Sequence, residues 1–153
     1  MTITLEKDAK AARPRGEELP ARLRLAITRT ARRLRQEADA GLSPSLTAVL
    51  ATIERSGPVS PSRLAELERI QRPTATRLLA RLEERGLVTR EADAQDRRCS
   101  QVAITAEGRS LLKKLRSRKN AYLARRLKRL EEDDLRTLDR AADILERLLE
   151  EGA

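Results

Sequence analysis

From Glu17 to about Ala38 the apolar positions recur every three or four residues. Leu19, Leu23, Ile27, Thr30 and Leu34 form one stripe, with Arg22, Arg24, Arg29, Arg32, Arg33 and Arg35 around it. That period is the mark of an amphipathic helix, and Gly41 is expected to stop it. Two similar helix starts follow. Ser43-Pro44-Ser45 and Ser60-Pro61-Ser62 each place Ser where its oxygen can take an orphan backbone N–H, and Pro where a missing N–H costs nothing. Helices are therefore expected over about 44–55 and 61–69, the first ended by Ser56-Gly57-Pro58. A third is expected from Pro73 to Arg85, with Gly86 as its stop. Its Leu78, Leu79 and Leu82 must face inward.

After Gly86 the period falls to about two. Residues 87–91 and 100–104 predict two short strands, with Val102 and Ile104 on one face and a polar tip, residues 92–98, between them. Thr105 is placed to cap a long helix reaching about Leu130, with Leu111, Leu112, Leu115, Tyr122, Leu123, Leu127 and Leu130 as its apolar positions. Glu131-Glu132-Asp133-Asp134 suits the positive end of a last helix. In that helix Leu135, Leu138, Ala142, Leu145 and Leu149 alternate steps of three and four, a seam for packing on another helix. The fold predicted is mainly α with a small two-stranded β-wing: three short helices in helix-turn-helix order, a hairpin, and long helical arms.

Composition narrows the function. The 153 residues suit one compact domain, and 33 Lys and Arg against 24 Asp and Glu give a net charge of +9. The charge is local: residues 109–129 hold ten Lys or Arg and no acid, whereas residues 130–151 hold nine acids and three Arg. There is no His, Phe or Trp, one Tyr and one Cys. The commonest general base and metal ligand are thus missing, one Cys builds no zinc site, and one ring makes no stacking platform for single strands. No glycine-rich phosphate loop occurs either. Neither an enzyme nor a metal or other cofactor is expected. No run approaches 18 apolar residues, so no membrane span is expected. Residues 1–16 lack an apolar core and are expected to be a disordered polar tail rather than a secretory signal. A basic protein with a single Cys fits the reducing cytoplasm and a polyanionic partner.

The order of elements, with Asp96-Arg97-Arg98 before Val102-Ala103-Ile104-Thr105, resembles the MarR family of bacterial transcriptional regulators. Arg72-Pro73-Thr74-Ala75-Thr76-Arg77-Leu78 and Leu82-Glu83-Glu84-Arg85-Gly86-Leu87-Val88 are similar to that family's recognition helix and strand entry. The likeness spans roughly residues 19–150. It implies a homodimer on a near-palindromic operator, commonly a repressor, often released by a small-molecule effector or by oxidation. On this basis residues 41–105 are expected to form the winged helix-turn-helix DNA-binding domain. Residues 17–40 and 106–153 are expected to form the helical dimerisation region. Many members line a ligand pocket with aromatic rings; this chain offers Tyr122 alone.

Candidate DNA contacts follow. Arg77 falls one turn after Pro73, near the helix end that enters the major groove, where a guanidinium can grip a guanine edge. Arg72, Thr74, Thr76 and Arg81 are the helix's other polar positions, and Ser62 opens the preceding helix, where free N–H groups meet phosphate. The resemblance points to Arg98 as a minor-groove contact, flanked by Arg97 and oriented by Asp96. Beside each stands a plainer alternative: a solvated arginine, simple helix capping at Ser62 and Ser43, an incidental ion pair in the wing. The basic run 109–129 is expected to be mainly a solvated face, and Cys99 a packing residue rather than a redox sensor. Leu19, Leu23, Leu135, Leu138, Leu145 and Leu149 are expected to make the dimer contact, because a monomer cannot hide both seams. Two functions fit: a sequence-specific double-stranded-DNA regulator acting as a homodimer, or a sequence-tolerant architectural chromatin protein. The ratio of operator to random-DNA affinity separates them.

Overall fold

The computed structural model describes residues 18–39, 41–92 and 100–150. The described residues divide into two units at Leu34 and Arg35. Among the described residues eight elements follow one another: α1 (Glu18–Glu37), α2 (Pro44–Ser56), α3 (Pro61–Leu67), α4 (Arg72–Glu84), β1 (Val88–Ala92), β2 (Ser100–Ile104), α5 (Ala106–Leu127) and α6 (Glu132–Glu150). The protein is mostly helical with one two-stranded antiparallel sheet, as the patterning predicts.

The helix starts are made locally. Ser43 Oγ accepts from the Leu46 N–H at 3.3 Å, Ser60 Oγ from Arg63 at 3.2 Å and Thr105 Oγ1 from Gly108 at 3.1 Å. Each occupies an orphan donor of a first turn. Gln71, ahead of α4, makes no such side-chain bond, and α4 begins at Arg72, one residue before the expected Pro73.

Two helix ends share one motif. At α4, Gly86 lies at φ +69°, its N–H bonds to Glu83 O, and the Leu87 N–H reaches back to Leu82 O. At α3 the same pair of bonds runs from Arg69 to Glu66 O and from Ile70 to Ala65 O, with Arg69 at φ +52°. Both are Schellman stops. The sequence signals only the first, since glycine enters the left-handed region without a Cβ penalty and arginine does not. The expected stop at Gly41 needs correction: α1 ends at Glu37. Gly41, at φ +70°, instead turns the chain toward α2 and gives its N–H to Asp39 Oδ1.

The core sits among α2, α3, α4, the sheet and the start of α5. Val49, Leu50, Ile53, Leu64, Leu79, Leu82 and Val102 are fully buried, each contributing roughly 1.5–3 kcal/mol. Of the positions expected to face inward on α4, Leu79 and Leu82 are buried and Leu78 is half-buried. In the sheet Val88 lies opposite Ile104 and Arg90 opposite Val102. Val59 adds a one-residue rung on the far side of β2, exchanging bonds of 3.0 and 2.8 Å with Val102.

One junction holds the end of α4, the sheet and α5 together. Thr105 Oγ1 donates to Gly86 O at 2.8 Å, and the Thr105 N–H donates to Leu87 O at 3.1 Å. Gly108 follows one turn later. A Cβ there would stand 2.3 Å from Leu87 O and 2.8 Å from Ile104 Cγ1, so only glycine permits this approach. Of the apolar positions read along α5, Leu112 and Leu115 are buried, while Leu127 and Leu130 are exposed; the helix stops at Leu127, short of the expected Leu130.

Candidate nucleic-acid interface

Helix α4 has two unlike sides. Ala75, Leu79 and Leu82 are buried against the core. Because α3 and α2 cover that side, the opposite one is left to solvent: Arg72, Pro73, Thr76, Arg77 and Arg81 are exposed, and Thr74 is half-buried. Five of the expected α4 contacts therefore lie on or beside one accessible surface. Thr76 is not free in the way its type suggested: its hydroxyl donates to Arg72 O at 3.0 Å, leaving the oxygen to accept and the methyl to pack.

The pairing of charges is uneven. Arg63 meets Glu66, Arg90 meets Glu83, Arg116 meets Glu54 and Arg136 meets Asp133. Arg85 and Arg118 spend their guanidiniums on backbone, on Gly41 O at 2.8 Å and Asp39 O at 3.1 Å. Among the described residues, Arg72, Arg77 and Arg81 engage no acid, although Glu83 and Glu84 share their helix. Three exposed cations of one helix that meet no acid among the described residues raise the local positive potential there.

The other expected sites divide. Ser62 lies in the first turn of α3 and is half-buried, while Ser60 supplies that helix's cap. Asp96, Arg97, Arg98 and Cys99 lie outside the described residues, and the structure describes only the base of the hairpin that carries them. On α5, Arg116 is held by Glu54 and Arg118 by the Asp39 carbonyl, and Arg126 lies over the Tyr122 ring at 5.2 Å.

Of the residues expected to face a second subunit, none is buried. Leu19 and Leu23 on α1 are exposed, as are Leu138 and Leu149 on α6, whereas Leu135 and Leu145 are half-buried. Neither helix has a single buried residue. Among the described residues no cluster of acidic or Cys side chains is arranged to hold a metal, and no helix is long and apolar enough to cross a membrane.

Two features were invisible to sequence patterning. Thr52, buried in α2, donates to Glu68 and accepts from Arg55, so the α3–α4 turn is tied to α2 by a polar bond. Arg90 bridges α4 and both strands. Neither shows in a sequence, because both join segments distant along the chain.

A short helix, a tight turn and a second helix with a free cationic face, followed by a two-stranded hairpin, define a winged helix-turn-helix DNA-binding protein. Comparison with known proteins places it further. The MarR family model matches residues 42–100. An HTH-type transcriptional regulator of Mycobacterium leprae is 34% identical over 135 residues, 88% of this chain and 94% of that relative. The crystal structure of a Pseudomonas aeruginosa protein described as a transcriptional regulator superposes with a TM-score of 0.78 at 36% identity, covering 87% of this chain and 95% of that one. The Bacillus subtilis transcriptional repressor MdtR is 28% identical over 95 residues, 62% of this chain and 61% of the relative. The chain belongs to the MarR family: it is a DNA-binding transcriptional regulator, not an enzyme.

Proposed function

We propose that the protein is a homodimeric, sequence-specific repressor that grips a near-palindromic operator in the bacterial nucleoid. The observation that carries this is the exposed guanidiniums of Arg72, Arg77 and Arg81 on α4, which meet no acid among the described residues, whereas nearby Arg63 and Arg90 are held by Glu66 and Glu83. In this reading Arg77 grips a guanine edge, Thr74 and Thr76 offer methyl and oxygen to bases or phosphate, and Arg72, Arg81 and Ser62 hold the backbone. Arg98, oriented by Asp96 and flanked by Arg97, enters the minor groove. The open faces of α1 and α6, with Leu19, Leu23, Leu135, Leu138, Leu145 and Leu149, take the second copy, which sets the spacing of two half-sites. Repression is supported by the name of the Bacillus subtilis relative. A releasing ligand, where one acts, meets arginines and one phenol instead of an aromatic cage: Glu37, Tyr122, Arg125, Arg126 and Arg129 line a shallow pocket.

Selection of duplexes from a random library by the purified protein is the test. An enriched motif with two inverted half-sites is the expected result, and weak binding without any motif would indicate the sequence-tolerant architectural protein. On the enriched duplex, Arg77→Ala is expected to erase preference at one position per half-site, worth about 1–3 kcal/mol.

A further inference from the structure

A recognition helix and a wing can read one stretch of duplex only if the angle between them is set. Val88, Arg90, Ser100, Val102 and Ile104 share one face of the hairpin, because the register pairs Val88 with Ile104 and Arg90 with Val102. Near the body this face is apolar: Val88 and Val102 are buried, and Ile104 packs against them. At the second rung, across from Val102, it turns polar on the β1 side. Arg90 Nε donates to Glu83 Oε2 at 2.9 Å, and the same guanidinium donates through a second nitrogen to Ser100 Oγ at 3.4 Å. A single side chain thus ties the last turn of α4 to both strands, at the point where the apolar contact gives out.

The geometry points to Arg90 as a positioning residue for DNA recognition: through Glu83 and Ser100 it sets the angle at which the wing leaves α4. It thereby sets where the wing's arginines arrive along the duplex. This rests on the proposed minor-groove role of Arg98. Arg90 and Glu83 side chains are 38% and 40% exposed, so the pair adds little to the stability of the fold. Its worth is angular. Each extended residue carries the chain about 3.3 Å outward, so a small rotation at the base grows toward the tip. The pair also removes Arg90 from the cations available to DNA, in contrast with Arg72, Arg77 and Arg81.

The experiment uses the full chain and the duplex enriched by the wild-type protein. Arg90→Ala and Glu83→Ala are each expected to weaken binding about threefold to fivefold, the scale of one exposed ion pair. The loss should fall on discrimination at the base pairs flanking the α4 half-site, with preference inside it and the thermal midpoint unchanged. Arg90→Lys, which reaches Glu83 without spanning to Ser100, should sit between. The charge swap E83R/R90E should recover most of the affinity. In an Arg98→Ala background, Arg90→Ala should cost nothing more, since no contact is left to place. Wild-type affinity in Arg90→Ala, or full additivity with Arg98→Ala, overturns the inference. So does a gain of affinity in Glu83→Ala, which would make Arg90 a phosphate contact held in check by Glu83. A loss accompanied by a lower midpoint and not restored by the swap reduces Arg90 to a structural role. Failure of the wild type to enrich any duplex, or of Arg98→Ala to weaken binding, would instead remove the DNA-reading assignment on which the inference stands.

Discussion

The helix-turn-helix body and the two terminal helices satisfy their apolar surface in opposite ways. Within the body, leucines and valines from α2, α3, α4 and the sheet bury one another almost completely; Leu50, Ile53, Leu64 and Leu82 have no exposed surface. In α1 and α6 the apolar stripes are as regular, yet no residue is buried: Leu138 is 48% exposed and Leu149 78%. Both regions have the same helical periodicity, so periodicity says that a helix has a face to cover without saying what covers it. An uncovered seam of this length is costly in water, and a second copy of the chain is our proposed cover.

The difference can be broken from either side. Leu138→Asp is expected to have the largest effect, because it would place an unpaired charge in a covered seam. Sedimentation at micromolar concentration should find a monomer where the wild type is a dimer, and binding to a two-half-site duplex should collapse. A wild-type monomer under those conditions would refute the assignment of the seams. Leu50→Ala addresses the body instead. Truncating a fully buried leucine is expected to cost about 2–5 kcal/mol of unfolding free energy by denaturant titration. Enriched-site preference should survive in the fraction that stays folded.

Smaller effects sharpen the picture of how the body closes. Gly108→Ala should cost about 1–3 kcal/mol, because backbone rather than a yielding side chain stands in the way of the new methyl group. An unchanged midpoint would show that α5 can slide away from Leu87 without penalty. Arg69→Gly should act in the other direction. It relieves a non-glycine residue at φ +52° but loosens the unfolded chain, so a gain of about 0.5–1 kcal/mol is expected from thermal or urea unfolding. A loss would mean that the Arg69 side chain contributes more than its backbone costs.

Local chemistry made most of the body legible. Ser43, Ser60 and Thr105 signal caps because a hydroxyl reaches a backbone N–H three residues on, and Gly86 signals a stop because a left-handed residue prefers to lack a Cβ. Those interactions close within a few residues, so the sequence carries them whole. The polar face of α4 was legible for a related reason, since burying Ala75, Leu79 and Leu82 leaves Arg77 no direction but outward. Legibility failed wherever the decisive partner came from elsewhere in the chain. Arg69 stops a helix without glycine because Ile70 is drawn into the core behind it.

By itself, then, the sequence determined the order and approximate bounds of the helices and strands, the cationic side of α4, and the exclusion of chemistry that depends on histidine or stacked rings. Each depends on residue type and short-range periodicity. Tertiary structure decided that Gly108 must lack a Cβ, that Val59 adds a rung to the sheet, and that Thr52 meets Glu68. It also decided that Arg90 belongs to Glu83 while Arg72, Arg77 and Arg81 remain uncompensated. A guanidinium is the same group in all four arginines; whether it is spent inside the protein or left for a partner depends on which acid the fold brings within reach.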